Sequence, residues 1–253
     1  MPVGERALED RVAIVTGGGR GIGRGIALAL AKQGARIAIL ERDPDTGSRT
    51  VDEIESLGER AIVRAGSVRE RSDCEAIVAA AVERFGGIDV LVNNAQQVPT
   101  GPLDECTDDD MYTAWESGAL ATFRLMQLCH PLMKARGGGA IVNLGSGAGT
   151  EGLAGLGAYA VAKEGIRALT KVAMLEWGAD NIRVNTICPW ARSEHWDALA
   201  DRQRAARLSR NPLRRIGDPE ADIGAVVVFL AGDAGSYVTG QTIHVDGGNM
   251  GFR

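Results

Sequence analysis

The sequence predicts an α/β fold: a doubly wound parallel sheet with helices on both faces, in a single domain spanning residues 1–253. Three observations predict it. Short apolar runs of strand length alternate with helical stretches along the whole chain. A glycine-rich turn at residues 17–23 joins the first strand to the first helix. Chemistry-bearing residues then fall repeatedly at the carboxyl ends of expected strands, where open α/β sheets bind their ligands.

The first strand is RVAIVT, residues 11–16, a compact apolar run suited to burial on both faces. Gly17, Gly18, Gly19, Arg20, Gly21, Ile22 and Gly23 follow, and an apolar helix runs to Lys32. Strand, glycine turn and helix in this order make a phosphate cradle, because glycines let the backbone approach a pyrophosphate at a helix N-terminus. The spacing is Gly-x-x-x-Gly-x-Gly rather than Gly-x-Gly-x-x-Gly. Residues 36–40 form the second strand and end at Glu41, an acid placed to take two ribose hydroxyls and repel a 2′-phosphate. That favours NAD; Arg20 and Arg42 leave NADP open.

A helix is expected over residues 45–57, closed by Gly58, and a short strand over 61–63. Ser67 and Val68 lead into a helix from about 72 to 85. The fourth strand, 88–92, ends in Asn93, Asn94, Ala95 and Gln96, residues that suit a turn, a tie between loops or a ribose contact. The acids after Thr107 start a long helix reaching about Lys134. Gly118 lies inside it, where glycine costs about 1 kcal/mol against alanine, so a kink or a close neighbour is expected there.

After Gly137, Gly138 and Gly139, the apolar run 140–144 forms a strand that delivers Ser146. The next helix carries Tyr159 and Lys163, four residues apart and so on one face. A phenol titrates near 10. A neighbouring ammonium favours the phenolate and turns the pair into an acid–base catalyst, with Ser146 holding a substrate oxygen. The same spacing also occurs on an ordinary helix face; its place among the other strand-end residues lifts it above that. Residues 182–187 form the sixth strand, ending at Cys188, Pro189 and Trp190. The irregular stretch 190–216 reads as a substrate lid. Its six arginines between Arg202 and Arg215 read as an anion-attracting surface or as a solvated helix face. A helix over 218–231 and a strand over 242–245 close the chain.

Composition narrows the function classes. The chain is 45% hydrophobic, enough for a full core. A net charge of −5 argues against a general nucleic-acid binder. Cys74, Cys106, Cys129 and Cys188 are scattered without a C-x-x-C pair, which predicts a reducing, cytoplasmic setting. His130, His195 and His244 lack metal-ligand spacing, so no metal is expected. Residues 1–10 read as a short charged leader with no signal-peptide core, and no apolar run has membrane-spanning length.

From residue 11 to residue 248 the chain resembles the short-chain dehydrogenase/reductase family. The resemblance is carried by residues 16–23 (TGGGRGIG), Asn93-Asn94-Ala95, Ser146, Tyr159-x-x-x-Lys163, YVTGQ at 237–241 and VDGG at 245–248. It implies a Rossmann-type fold, a nicotinamide cofactor, and hydride exchange between an alcohol and a ketone. It implies Tyr159 as acid–base, Ser146 as the residue positioning the carbonyl, and Lys163 as ribose ligand and modulator of the tyrosine. Gly17, Arg20, Gly21, Ile22, Gly23, Glu41, Ser67, Val68, Asn94, Ala95 and Pro189 complete the expected cofactor site. A homotetramer is the assembly it implies.

Four departures stand out. Gly118 falls where the family usually has an asparagine, so water is expected in the space it leaves, and Gly118→Asn is expected to raise turnover or leave it unchanged. Gln96 replaces a glycine and is expected to add bulk near the nicotinamide. Trp190 replaces another glycine, and Arg192 and Glu194, or Ser193 with a shift of one, stand where the nicotinamide amide is usually met. Ser67 replaces an aspartate near the adenine. Gln96, Leu153, Trp190 and Trp196 are the expected substrate contacts, favouring a bulky apolar alcohol or ketone. The alternatives are an acyl-thioester ketoreductase and a dinucleotide-binding protein with little turnover.

Overall fold

The structure, a computed structural model, describes residues 6–250. Seven parallel strands form one sheet in the order β3-β2-β1-β4-β5-β6-β7. They are β1 (Val12–Thr16), β2 (Arg36–Glu41), β3 (Ala61–Ala65), β4 (Val90–Asn93), β5 (Gly139–Leu144), β6 (Ile182–Pro189) and β7 (Thr242–Val245). Successive side chains of a strand point to opposite faces. Val15 therefore packs with Ile26, Leu30 and Ile223 on one side, while Ile14 packs with Ile77, Leu91 and Met126 on the other. Two separate cores with helices over both faces are the expected doubly wound arrangement.

On the first face lie α1 (Gly21–Lys32) and α10 (Ala225–Ala231), the latter entered through a π turn, Pro219–Gly224. The second face carries α3 (Arg71–Phe85), α5 (Ala121–Ala135) and α7 (Gly157–Trp177). Helix α2 (Pro44–Ser56) starts on Asp43, which accepts from the amides of Asp45 and Thr46. Thr107 and Asp110 form a reciprocal capping box at the start of α4 (Asp108–Trp115), as the acidic first turn predicts.

The structure corrects three expectations. The helix foreseen from Thr107 to Lys134 is interrupted by a π turn, Glu116–Leu120, with Gly118 at its centre. The segment 190–216 is not irregular throughout: it holds α8 (Glu194–Asp197) and α9 (Asp201–Leu208). The foreseen leader is not detached where it is described. Leu8 is 1% exposed within the first core, and its amide donates to Gln33 O at 2.9 Å. Residues 1–5 of that leader lie outside the described residues. No helix among the described residues is long and apolar enough to cross a membrane.

The strand order reverses beside β1, between β2 on one side and β4 on the other. The crevice above that switch point is where the glycine turn and the end of β4 meet.

Candidate active site

A cavity of about 430 Å³ opens above the carboxyl ends of β1, β2 and β4. Gly17, Arg20, Ile22, Gly23, Glu41, Ser67, Val68, Asn94, Ala95, Gln96 and Tyr159 all line it, and Lys163 does not. Gly21 starts α1 and Pro189 ends β6 without lining it. The turn needs its glycines: Gly17 has φ +65°, and a Cβ on Gly23 would collide with Gly17 O. Asn94 is the tie between loops that its strand-end position suggests. Its Nδ2 donates to Thr16 O at 2.9 Å and Gly17 O at 3.1 Å. Thr16 Oγ1 in turn accepts from the amides of Asn94 and Ala95, both at 3.0 Å. Thr16, the first residue of the glycine motif, thereby ties the glycine turn to the end of β4.

Glu41 is 7% exposed and braces the turn. Its Oε2 accepts from Gly19 N at 3.0 Å and its Oε1 from Arg42 N at 2.8 Å. Ser67 lacks a carboxylate of its own, but Asp73 supplies one from α3, accepting from Ser67 N at 2.8 Å.

Tyr159 lines the cavity, with Ser146 and Lys163 beside it and outside the lining. Ser146 caps α6 (Gly147–Glu151), accepting from Ala148 N at 3.1 Å. Its hydroxyl lies near enough to the Tyr159 phenol to favour the phenolate. Lys163 is 2% exposed, and its Nζ donates to Leu144 O at 2.6 Å. The ammonium lies 5.4 Å from the centre of the tyrosine ring. Burial pushes the phenol above its ordinary value, and the Ser146 hydrogen bond pulls it partly back. The expected lowering by Lys163 is therefore not what this geometry gives. Lys163 points to a backbone carbonyl, and burial pushes its own pKa down to about 8.

A dinucleotide fits this cradle. The first turn of α1 has no side-chain cap, so its amides remain available to a pyrophosphate. Beyond the cradle, Trp190 and Trp196 meet edge to face with centroids 5.6 Å apart. Trp190 also lines a second hollow of about 540 Å³ with Leu213, Arg215, His244 and Val245.

The comparisons with known proteins agree with this geometry. A family model described as enoyl-(acyl carrier protein) reductase matches residues 17–249. A 12α-hydroxysteroid dehydrogenase from Clostridium sp. is 41% identical over 256 residues, covering 97% of this chain and 98% of that protein. The chain belongs to the short-chain dehydrogenase/reductase family. A 3-oxoacyl-(acyl-carrier-protein) reductase from Vibrio cholerae is 36% identical over 242 residues, covering 95% and 98%. A solved 7α-hydroxysteroid dehydrogenase, complexed with NADH and 7-oxo glycochenodeoxycholic acid, superposes with a TM-score of 0.91. It is 32% identical and covers 96% of each chain.

This short-chain dehydrogenase/reductase is thus an NAD(P)-dependent oxidoreductase acting on CH–OH groups. Its departures take a different form from the expected one. The Gln96 carboxamide does not crowd the cavity; it turns away toward the π turn, where it fills the space beside Gly118. The expected water at Gly118 is therefore displaced by a side chain. Arg192 pairs with Asp197 and Glu194 with Arg20, while Ser193 lines the cavity. Of the residues expected to meet substrate, Leu153 is 42% exposed in the turn after α6 and lines neither hollow. Met250 was not foreseen. It packs onto Gly147, next to Ser146, and no motif marks it.

Proposed function

We propose that this enzyme interconverts bulky, apolar secondary alcohols and their ketones with NAD(H), using Tyr159 as acid–base. The observation that carries the reading is that Tyr159 lines the same cavity as the glycine turn, with the Lys163 amine 5.4 Å from the centre of its ring. The nicotinamide supplies or accepts the hydride. In ketone reduction Tyr159 gives its proton to the carbonyl oxygen as that oxygen gains charge. Ser146 then donates to the same oxygen or to the phenolate left behind. Lys163, fixed on Leu144 O one turn below Tyr159, would hold the nicotinamide ribose rather than tune the phenol. Ser193, which lines the cavity, would meet the nicotinamide. Glu41 supports NAD, because its carboxylate would face a 2′-phosphate.

The Trp190–Trp196 pair and the hollow with Leu213 and Val245 support a large apolar substrate, entered under a lid at 190–216. The hydroxysteroid relatives point the same way. A carrier-borne acyl thioester is the second reading. Arg202, Arg207 and Arg210 favour it, since they show no ion pairs among the described residues, whereas Arg204 and Arg215 are neutralised by Asp201 and Asp222. A homotetramer is supported by exposed apolar residues on α4, α5 and α7, among them Trp115, Phe123, Val172 and Leu175. The four cysteines are free, which suits a cytoplasmic setting.

The test is a titration of NADH and NADPH against wild type and Tyr159→Phe. A turnover screen of 12α-hydroxysteroids, 7-oxo glycochenodeoxycholic acid, cyclohexanone and an acetoacetyl thioester then follows. Tighter NADH binding, steroid turnover and its loss in Tyr159→Phe are expected. Turnover confined to the thioester selects the second reading. Dinucleotide binding without turnover anywhere in the screen overturns both.

A further inference from the structure

The loop after β4 sets an amide against the end of α4 and the π turn. Gln96 Nε2 donates to Gln97 O at 2.8 Å, Ala114 O at 2.9 Å and Ser117 Oγ at 3.1 Å. An amide nitrogen has two protons, so its donor capacity is fully committed. Two of the acceptors are carbonyl oxygens, which fixes the orientation, because a flipped amide would set oxygen against oxygen. Gln96 Oε1 then faces Gly118, where a Cβ would collide with it. That oxygen is buried and has no partner, and neither has the adjacent Gln97 Oε1. A buried acceptor left bare costs about 1–3 kcal/mol, so the three bonds that the amide nitrogen makes have to outweigh it.

The residues around this amide are those that seat the acid–base helix. Ala114, whose carbonyl Gln96 binds, packs with Ala158 and Ala162, the neighbours of Tyr159 and Lys163. Gly165, half a turn further on, leaves room for the π turn: a Cβ there would stand 3.1 Å from both Ala119 and Trp115. Ser117, 2% exposed, accepts from Gln96 and from Gln97 N at 3.0 Å and donates to Thr113 O at 2.7 Å. The loop that lines the dinucleotide cavity is thereby fastened to the π turn, and the π turn to α7.

We propose that Gln96 is a positioning residue for the reaction. Its carboxamide, lodged in the space that glycine leaves at 118, clamps the loop after β4 to the π turn. In that way it holds the Tyr159–Lys163 turn in register with the cavity. The inference rests on the acid–base role proposed above for Tyr159. Gln96 and Gly118 are consequently one unit, and either changed alone is deleterious.

The experiment is a set of replacements assayed with NADH and the best ketone from the screen. Each variant is also titrated with NADH and melted, and Tyr159→Phe is carried as control. Gln96→Gly is expected to lower kcat about tenfold, with KM and NADH affinity within twofold. Gly118→Ala alone should do the same, by expelling the amide. The double variant Gln96→Gly/Gly118→Ala, which refills the space with a methyl group, should stay low. Gln96→Gly/Gly118→Asn returns an amide from the opposite wall and should recover to within about threefold of wild type. Wild-type kcat in Gln96→Gly overturns the proposal, and so does equal rescue by alanine and asparagine, which would make the role one of filling space. Where Gln96→Gly does not fold, Gln96→Glu decides. Its carboxylate cannot donate to Ala114 O, so kcat should rise as pH falls and the acid regains one donor; a wild-type pH profile overturns the proposal. Turnover surviving in Tyr159→Phe would sink the acid–base reading instead.

Discussion

Arg20 Nη1 donates to Glu194 Oε2 at 2.8 Å, joining the N-cap residue of α1 to the first residue of α8. Both side chains are more than half exposed, so the pair contributes at most about 1 kcal/mol and weakens with salt. Its consequence lies in what it occupies. Arg20 lines the dinucleotide cavity, and while bound to Glu194 its charge is unavailable to a 2′-phosphate. Glu194→Gln releases it. NADPH affinity is expected to improve about three- to fivefold relative to NADH, measured by fluorescence titration at low salt, and the gain should shrink in 0.5 M salt.

Glu41 is expected to matter more, because one carboxylate does two things. It presents negative charge to the cavity, and it accepts from Gly19 N and Arg42 N. Glu41→Gln keeps an acceptor for Gly19 but removes the charge. Glu41→Ala removes both. The NADH dissociation constant should rise a few-fold in the first variant and more than tenfold in the second. NADPH binding should strengthen in Glu41→Gln alone. Equal losses in the two variants, with no change for NADPH, would show that the carboxylate only braces the turn.

Below the site, Asn143 joins β5 to both neighbours. It accepts from Asn93 Nδ2 at 2.8 Å and donates to Thr170 Oγ1 at 2.9 Å, fully buried. Thr170 Oγ1 continues to Thr186 Oγ1 at 2.9 Å. Asn143→Ala strands a donor on Asn93 and removes a partner from Thr170, a cost of about 2–4 kcal/mol. The midpoint of thermal unfolding should fall by roughly 5–15 °C. Asn143→Asp offers the acceptor without the donor and should fall nearly as far at pH 7.

The sheet was legible in the sequence because each buried parallel strand is a run of β-branched and aliphatic residues with a breaker at its end. Residues 12–16 and 139–144 could scarcely be read otherwise. The cavity was legible because strand ends converge in this topology, which gathers Gly17, Glu41, Asn94 and Tyr159 without any side chain having to be placed. What escaped depends on where a flexible side chain goes. Gln96 read as bulk over the nicotinamide, yet three acceptors on or near α4 draw it the other way. Gly118 read as a vacancy, although the residue filling it lies 22 positions earlier. Each departure was visible alone; their coupling is a property of the folded chain.

Tyr159 and Lys163 give the last expectation, in which activity and stability move in opposite directions with pH. Burial lowers Lys163 from 10.5 to about 8. Below pH 8 the lysine is charged in the folded and the unfolded chain, and folding carries the full cost of burying that charge. Between about pH 8 and 10.5 the unfolded chain still binds the proton and the folded chain has released it, so this contribution to stability rises with pH. Cys74, Cys129 and Cys188 act the other way. Burial raises each thiol above 9, so the unfolded chain loses protons first and stability falls above that pH. The difference between wild type and Lys163→Met isolates the lysine. At pH 7 the methionine variant should be the more stable, and its lead should shrink toward pH 10. Ketone reduction should run the opposite course. Tyr159, raised by burial, keeps its proton through neutrality, but the ammonium of Lys163, proposed to hold the nicotinamide ribose, loses its charge and a donor above pH 8. Wild-type kcat/KM for reduction should be level below pH 8 and fall above it. A lead for Lys163→Met that does not change between pH 7 and 10 would show that the ammonium is not buried charged in the folded enzyme.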